Sequence, residues 1–138
     1  WIFFFLFLSG IRKITLVLDK IPDDTLSNVI IGGDFNCIIG LVKDAQPSRT
    51  TKSKAAATLH SYLKNLNMVD IWRCLNPSAR EYSFYSSVHK SYSRIDFFFI
   101  DSNLSKMVRS TQYHNRLISD HAPLTLDLNL KSEKGTYN

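Results

Sequence analysis

A chain of 138 residues is long enough for one domain and too short for two ordinary ones, which excludes a multidomain machine. With 44% apolar and 12% aromatic residues it can fill a core, so composition argues against disorder and a coiled coil. Seventeen Lys and Arg against twelve Asp and Glu leave a net charge of +5, which suits a polyanion such as nucleic acid without requiring one.

The chain opens on WIFFFLFL, eight apolar residues in a row, far short of the roughly 20 that span a bilayer. No starting Met, charged segment or small-residue cleavage site accompanies it, so residues 1–10 are expected to be a cut element or non-native sequence. Ile11, Ile14, Leu18 and Ile21 recur at helical spacing until Pro22 breaks the pattern. Val29, Ile30 and Ile31 form a short continuous apolar run stopped by Gly32 and Gly33, the signature of a strand buried on both faces. A loop is expected over 41–51. Helical periodicity then resumes from Lys52, with Ala56, Leu59, Leu63 and Leu66 on one face and an end near Asn65 or Asn67. Ile71, Trp72 and Leu75 lead into a turn at Asn76 and Pro77. Tyr82 to Ser86 and Ile95 to Ile100 read as strands, with the polar stretch Ser87 to Ser93 between them closing a hairpin. Leu124, Leu126, Leu128 and Leu130 alternate with polar residues, which predicts a final strand with one buried face. Lys131 to Asn138 is a polar tail. Cys37 and Cys74 belong to no CxxC or Cys/His cluster, which argues against a disulfide framework or a zinc site and makes an intracellular protein the default. Strands interspersed with helices place the chain in the α/β or α+β class.

Three polar clusters interrupt or follow apolar runs, where a carboxylate is costly unless it is hydrogen-bonded, paired or bound to a cation. In Gly32-Gly33-Asp34-Phe35-Asn36, Asp34 can take a proton from water or bind a hard cation, and the Asn36 amide can donate to a phosphoryl oxygen. A plain Asx turn after a strand is the alternative. In Ser93-Arg94-Ile95-Asp96, Asp96 opens the apolar run Phe97 to Ile100 and needs a partner, whether a basic neighbour or a functional group. In Ser119-Asp120-His121-Ala122-Pro123 the histidine can act as a base, or as a donor to phosphate when protonated. All three clusters fall at strand ends, where such scaffolds place their sites.

In that order GGDFN (32–36), SRIDFFF (93–99) and SDHAPL (119–124) resemble the endonuclease/exonuclease/phosphatase superfamily, which includes DNase I and the apurinic endonucleases. The stretch 70–101 is similar to the endonuclease domain of LINE-type, L1-like non-LTR retrotransposons. The resemblance runs over about residues 20–130, so that 11–130 is expected to form a partial domain of this family and 131–138 a tail. It implies a four-layered α/β sandwich of mixed, mostly antiparallel sheets that nicks DNA with a divalent metal, usually Mg²⁺, with Mn²⁺ as a substitute. The match of Asp34 positions or deprotonates the attacking water, and that of Asn36 holds the scissile phosphate. The match of Asp96 orients that of His121, which stabilises charge on the phosphate, while Asp120 falls at the metal site. Ser83, Ser93, Arg94 and Ser119 fall where the family approaches DNA.

The same resemblance implies a further N-terminal half carrying an Asn, the principal metal-binding Glu and a phosphate-contacting Tyr, none of which can be assigned here. The two Glu residues, Glu81 and Glu133, lie in or after the C-terminal motifs. The expectation is therefore the C-terminal part of a retrotransposon endonuclease, catalytically inactive, lacking the parent's reverse transcriptase region, and nuclear if functional. One sheet face should be left open and favour aggregation. Two alternatives are DNA binding without cleavage, through Arg49, Lys52, Lys54 and Arg94, and hydrolysis of a small phosphoester.

Overall fold

The structure is a computed structural model that describes residues 4–7, 19–20 and 28–129. The expected helix from Ile11 and the polar tail lie outside these residues. The strands are β1 (Phe4–Phe7), β2 (Val29–Asp34), β3 (Ala45–Gln46), β4 (Met68–Asp70), β5 (Phe84–Ser86), β6 (Ser91–Ser93), β7 (Asp96–Asp101), β8 (Val108–Tyr113) and β9 (Leu124–Leu128). The helices are α1 (Lys54–Asn65), the short α2 (Ile71–Leu75) and a 3-10 segment over Ser102–Met107. Among the described residues no helix is long and apolar enough to cross a membrane.

The main sheet has the order β1-β2-β7-β4, with β1 parallel to β2 and the other pairings antiparallel. Part of the opening apolar stretch thus serves as a strand of this sheet. As their unbroken apolar runs require, β2 and β7 are buried on both faces. On one face Val29, Ile31, Phe97 and Phe99 pack with Phe35 against Ala56, Leu59 and Leu63 of α1. Ser53 caps that helix by accepting the Ala56 N–H at 3.1 Å, which sets its start two residues beyond Lys52. On the other face Ile30, Phe98 and Ile100 pack with Ile71 and Leu104 under the leucines of β9. Gly32 is needed where β2 and β7 meet: a Cβ there would stand 2.4 Å from the Phe98 ring.

Two sequence expectations are corrected. The expected open face is covered: Ile30 and Ile100 are fully buried, because the two-stranded β8-β9 sheet closes over them. The hairpin is also different. Ser91–Ser93 is itself a strand, paired with β5 and with the two-residue β3, whereas Asp96–Asp101 turns away to pair with β2 and β4. The β5-β6 hairpin is held by polar ladders and the Tyr85–Tyr92 ring pair, so apolar periodicity does not reveal it. The loop expected over 41–51 holds β3, and the leucine alternation of β9 stands as read, its leucines half-buried.

Candidate active site

Antiparallel pairing of β2 with β7 sets Asp34 directly opposite Asp96, so the two carboxylates share one face at the end of the sheet. Just beyond, the chain turns sharply: Asn36 has φ 49°, and its N–H donates to Asp34 Oδ1 at 2.8 Å. This is the Asx turn considered from sequence, and it coexists with the site rather than replacing it. Asn36 ends exposed, on the wall of a cleft of about 280 Å³ that Arg49, Phe84, His89, Ser91 and Ser93 also line.

His121 arrives from the loop between β8 and β9. Its ring lies 2.8 Å from Asp96, Nδ1 to Oδ2, and since an ionised carboxylate only accepts, Nδ1 carries the proton. Nε2 is thereby left as the ring nitrogen open to a substrate. The Phe84 ring lies 4.9 Å from the imidazole, centroid to centroid, and fixes its other side. Burial works against a charged imidazole here, but the Asp96 hydrogen bond and the charges of Asp96, Asp34 and Asp120 outweigh it and raise the His121 pKa. The Asp96 pKa is raised as well, chiefly by burial and further by Asp34, against the lowering effects of Ser83 and His121.

Ser83 is fully buried, and this corrects the expectation that it contacts DNA. Its Oγ accepts the N–H groups of both Ile95 and Asp96 at 3.0 Å, and its carbonyl accepts the Ala122 N–H at 2.6 Å. One serine thus clips the strand bearing Asp96 to the loop bearing His121. Tyr113 strengthens the joint by donating its hydroxyl to the Asp96 carbonyl at 2.6 Å.

Arg94 is corrected more sharply. It is 1% exposed, bound to Asp44 through Nε at 2.8 Å and to Asp70 through Nη2 at 2.5 Å, so it cannot reach a DNA backbone. Trp72 and Phe97 sandwich its guanidinium at 5.0 and 4.6 Å. Arg73 adds a second cation to Asp44 at 2.6 Å. Burial alone would raise the Asp44 pKa, but the Arg94 and Arg73 bonds outweigh it and lower it. Asp44, Asp70 and Arg73 show no motif in the sequence; only the need of a buried Arg for anions, visible once Arg94 is placed, reveals them.

Ser119 and Asp120 are exposed. The Ser119 hydroxyl donates to Asp120 Oδ1 at 3.2 Å and accepts the His121 N–H at 3.1 Å, which shapes the turn. Ser93 is half-buried on the cleft wall, and Lys52 and Lys54 are exposed around the start of α1. The structure therefore brings together Asp34, Asn36, Asp96 and His121, with Asp120 at the margin.

No family model matches the chain. Over 109 residues, 78% of this chain, it is 28% identical to the transposon TX1 uncharacterized 149 kDa protein of Xenopus laevis, of which it spans 8%. Its structure is similar to that of the AP endonuclease LMAP from Leishmania major, with TM-score 0.60 and 23% identity, over 72% of this chain and 34% of the other. It is similar as well to the endonuclease domain of TRAS1, a telomere-specific non-LTR retrotransposon, with TM-score 0.63 and 20% identity, over 88% of this chain and 51% of the other. The mixed sheets, their order and the strand-end placement of the three motifs agree with this likeness, and the chain has a DNase I-like α/β fold.

Proposed function

We propose that this chain is part of a DNA-nicking endonuclease of retrotransposon type, with the hydrolysed phosphodiester held between Asn36 and His121. The observation that carries this reading is the 2.8 Å Asp96–His121 pair set beside Asp34, three groups drawn from distant stretches of sequence. Phosphodiester hydrolysis needs an activated water and a donor to the oxygens that gain charge. Asp34 takes the proton of the attacking water. His121, whose charged form the Asp96 hydrogen bond favours, donates from Nε2 to a phosphoryl oxygen when protonated, and the Asn36 amide donates beside it. Ser83 holds the two halves of this arrangement in register.

A metal is part of the reading. Mg²⁺ favours about six oxygen ligands in octahedral geometry, and Mn²⁺ could replace it. Among the described residues no group of three His, Cys, Asp or Glu side chains is placed to hold an ion. Asp34, Asn36 and Asp120 thus do not fit a resident Mg²⁺ by themselves, and the chain spans about half, or less, of the solved endonucleases it matches. We therefore propose that the chain alone does not nick DNA. Acting on DNA would place the parent protein in the nucleus.

The test is a supercoiled-plasmid nicking assay over a series of Mg²⁺ and Mn²⁺ concentrations. Absence of nicking, together with salt-sensitive retention on duplex DNA, is the expected result. Nicking that disappears in Asp34→Ala and His121→Ala would uphold the site and overturn the inactivity. Nicking that survives both substitutions, or hydrolysis of a soluble phosphoester with no binding to DNA, would overturn the assignment. DNA binding without cleavage gains support from one observation: Arg49 and His89 line the same cleft as Asn36.

A further inference from the structure

Among the described residues the three most exposed large apolar side chains are Val88, Leu117 and Ile118, at 84%, 88% and 100%. Leu117 and Ile118 are consecutive and stand within four positions of His121. At no more than about 3.6 Å per residue, the Ile118 Cα lies within about 11 Å of the His121 Cα. Val88 sits in the turn that follows β5, three residues beyond Tyr85, whose N–H donates to the Asp120 carbonyl at 3.4 Å.

The loop bearing the pair is tied down on both sides of it. Its base is closed by the His114 N–H on the Pro123 carbonyl at 2.8 Å. Before the pair, the Arg116 guanidinium lies over the Tyr85 and Tyr92 rings at 5.6 and 5.5 Å. After it, Ser119 accepts the His121 N–H, residue 121 bridges to Phe84, and the Ala122 N–H donates to Ser83. The two apolar side chains therefore stand in solvent on a tethered loop whose far end carries His121.

We propose that Leu117 and Ile118 form a wedge that enters between base pairs of duplex DNA beside the bond held at His121. This rests on the DNA reading above and extends it. A stable protein interface buries on the order of 1,200 Å² or more, well beyond what two side chains on a tip supply, whereas a wedge that unstacks a base step needs only one or two apolar residues. The surrounding charge favours the same occupant. Arg116 belongs to this loop and Lys90 to the neighbouring turn, both exposed, and a phosphate backbone can pair with them even though Asp120, the acidic residue of the loop, keeps its charge beside His121. Because unstacking is cheapest at flexible steps, the wedge gives the site a preference for pyrimidine–purine steps that no base-edge contact need supply.

The experiment uses the full chain and duplex oligonucleotides carrying 2-aminopurine at successive positions across TA-containing and A-tract sequences. Binding should raise the fluorescence several-fold at one or two positions, more at TA steps than in the A-tract. Leu117→Ser combined with Ile118→Ser should return it to the free-duplex level while affinity and its salt dependence change little, since phosphate contacts are untouched. Leu117→Met with Ile118→Val should retain the rise. Binding without any fluorescence rise, an undiminished rise in the serine double variant, or a double variant that abolishes self-association of the chain instead would each overturn the wedge. Failure to bind DNA at all would overturn the functional reading with it, a distinct result.

Discussion

Arg94 shows how one side chain can decide between surface and interior. An Arg flanking a catalytic motif looks like a phosphate contact, yet here it neutralises two carboxylates beneath the site and is sandwiched by rings. Arg94→Ala should cost about 3–5 kcal/mol in urea unfolding, because it leaves Asp44 and Asp70 without their shared cation in the interior. Substitution of exposed Arg49 should leave stability nearly unchanged and weaken DNA retention. His121 carries the pH dependence. Its pKa is raised in the folded chain, so the stability it contributes is fully present below its unfolded value of about 6.5 and is lost as pH rises through the folded value. Denaturant midpoints compared from pH 6 upward should fall through that window in the wild type. In Asp96→Asn the fall should flatten, and NMR titration should place the His121 pKa lower than in the wild type.

The site is assembled where four stretches meet: the end of β2, the start of β7, the residue preceding β5, and the loop between β8 and β9. Ser83 joins the last three through one hydroxyl and one carbonyl. In Ser83→Ala the buried N–H groups of Ile95 and Asp96 lose their acceptor, at a cost of about 1–3 kcal/mol. The same change should loosen the Asp96–His121 pair, which would be read as a lower His121 pKa even though residue 83 never touches substrate. Threonine, which keeps the hydroxyl, should restore part of the effect. At the β2-β7 crossing, Gly32→Ala would force the Phe98 ring aside and should cost about 1–3 kcal/mol by overpacking, measured as a lowered Tm.

Both faces of the main sheet are covered among the described residues, one by α1 and the other by β8, β9 and the 3-10 segment. The outer cover rests on few contacts, since Leu124, Leu126 and Leu128 are each only half-buried. Leu126→Ala should therefore cost about 2 kcal/mol, toward the lower end for a leucine, and should increase binding of a hydrophobic dye by uncovering Ile30, Phe98 and Ile100. If dye binding by the unmodified chain is already high, the cover provided by β8 and β9 is not closed in solution.

Local pattern sufficed wherever a residue's role follows from its own stretch of chain. The buried runs of β2 and β7, the amphipathic α1 and the alternating leucines of β9 were legible because burial imposes a period on apolar residues. The three motifs were legible because a carboxylate or histidine at the end of an apolar run has to be accounted for. Ser83, Arg94 and the Ser91–Ser93 strand were not, because polar groups bond across any sequence distance and leave no period behind. Ser83 and Arg94 carry the local pattern of surface residues, whereas partners twelve to fifty positions away place them inside. Composition and order thus specified which side chains can do chemistry, whereas the pairing of β2 with β7 and the folding of the 114–123 loop onto β5 determined which of them meet. Such meetings are long-range, and their energy comes from groups that no stretch of sequence contains together.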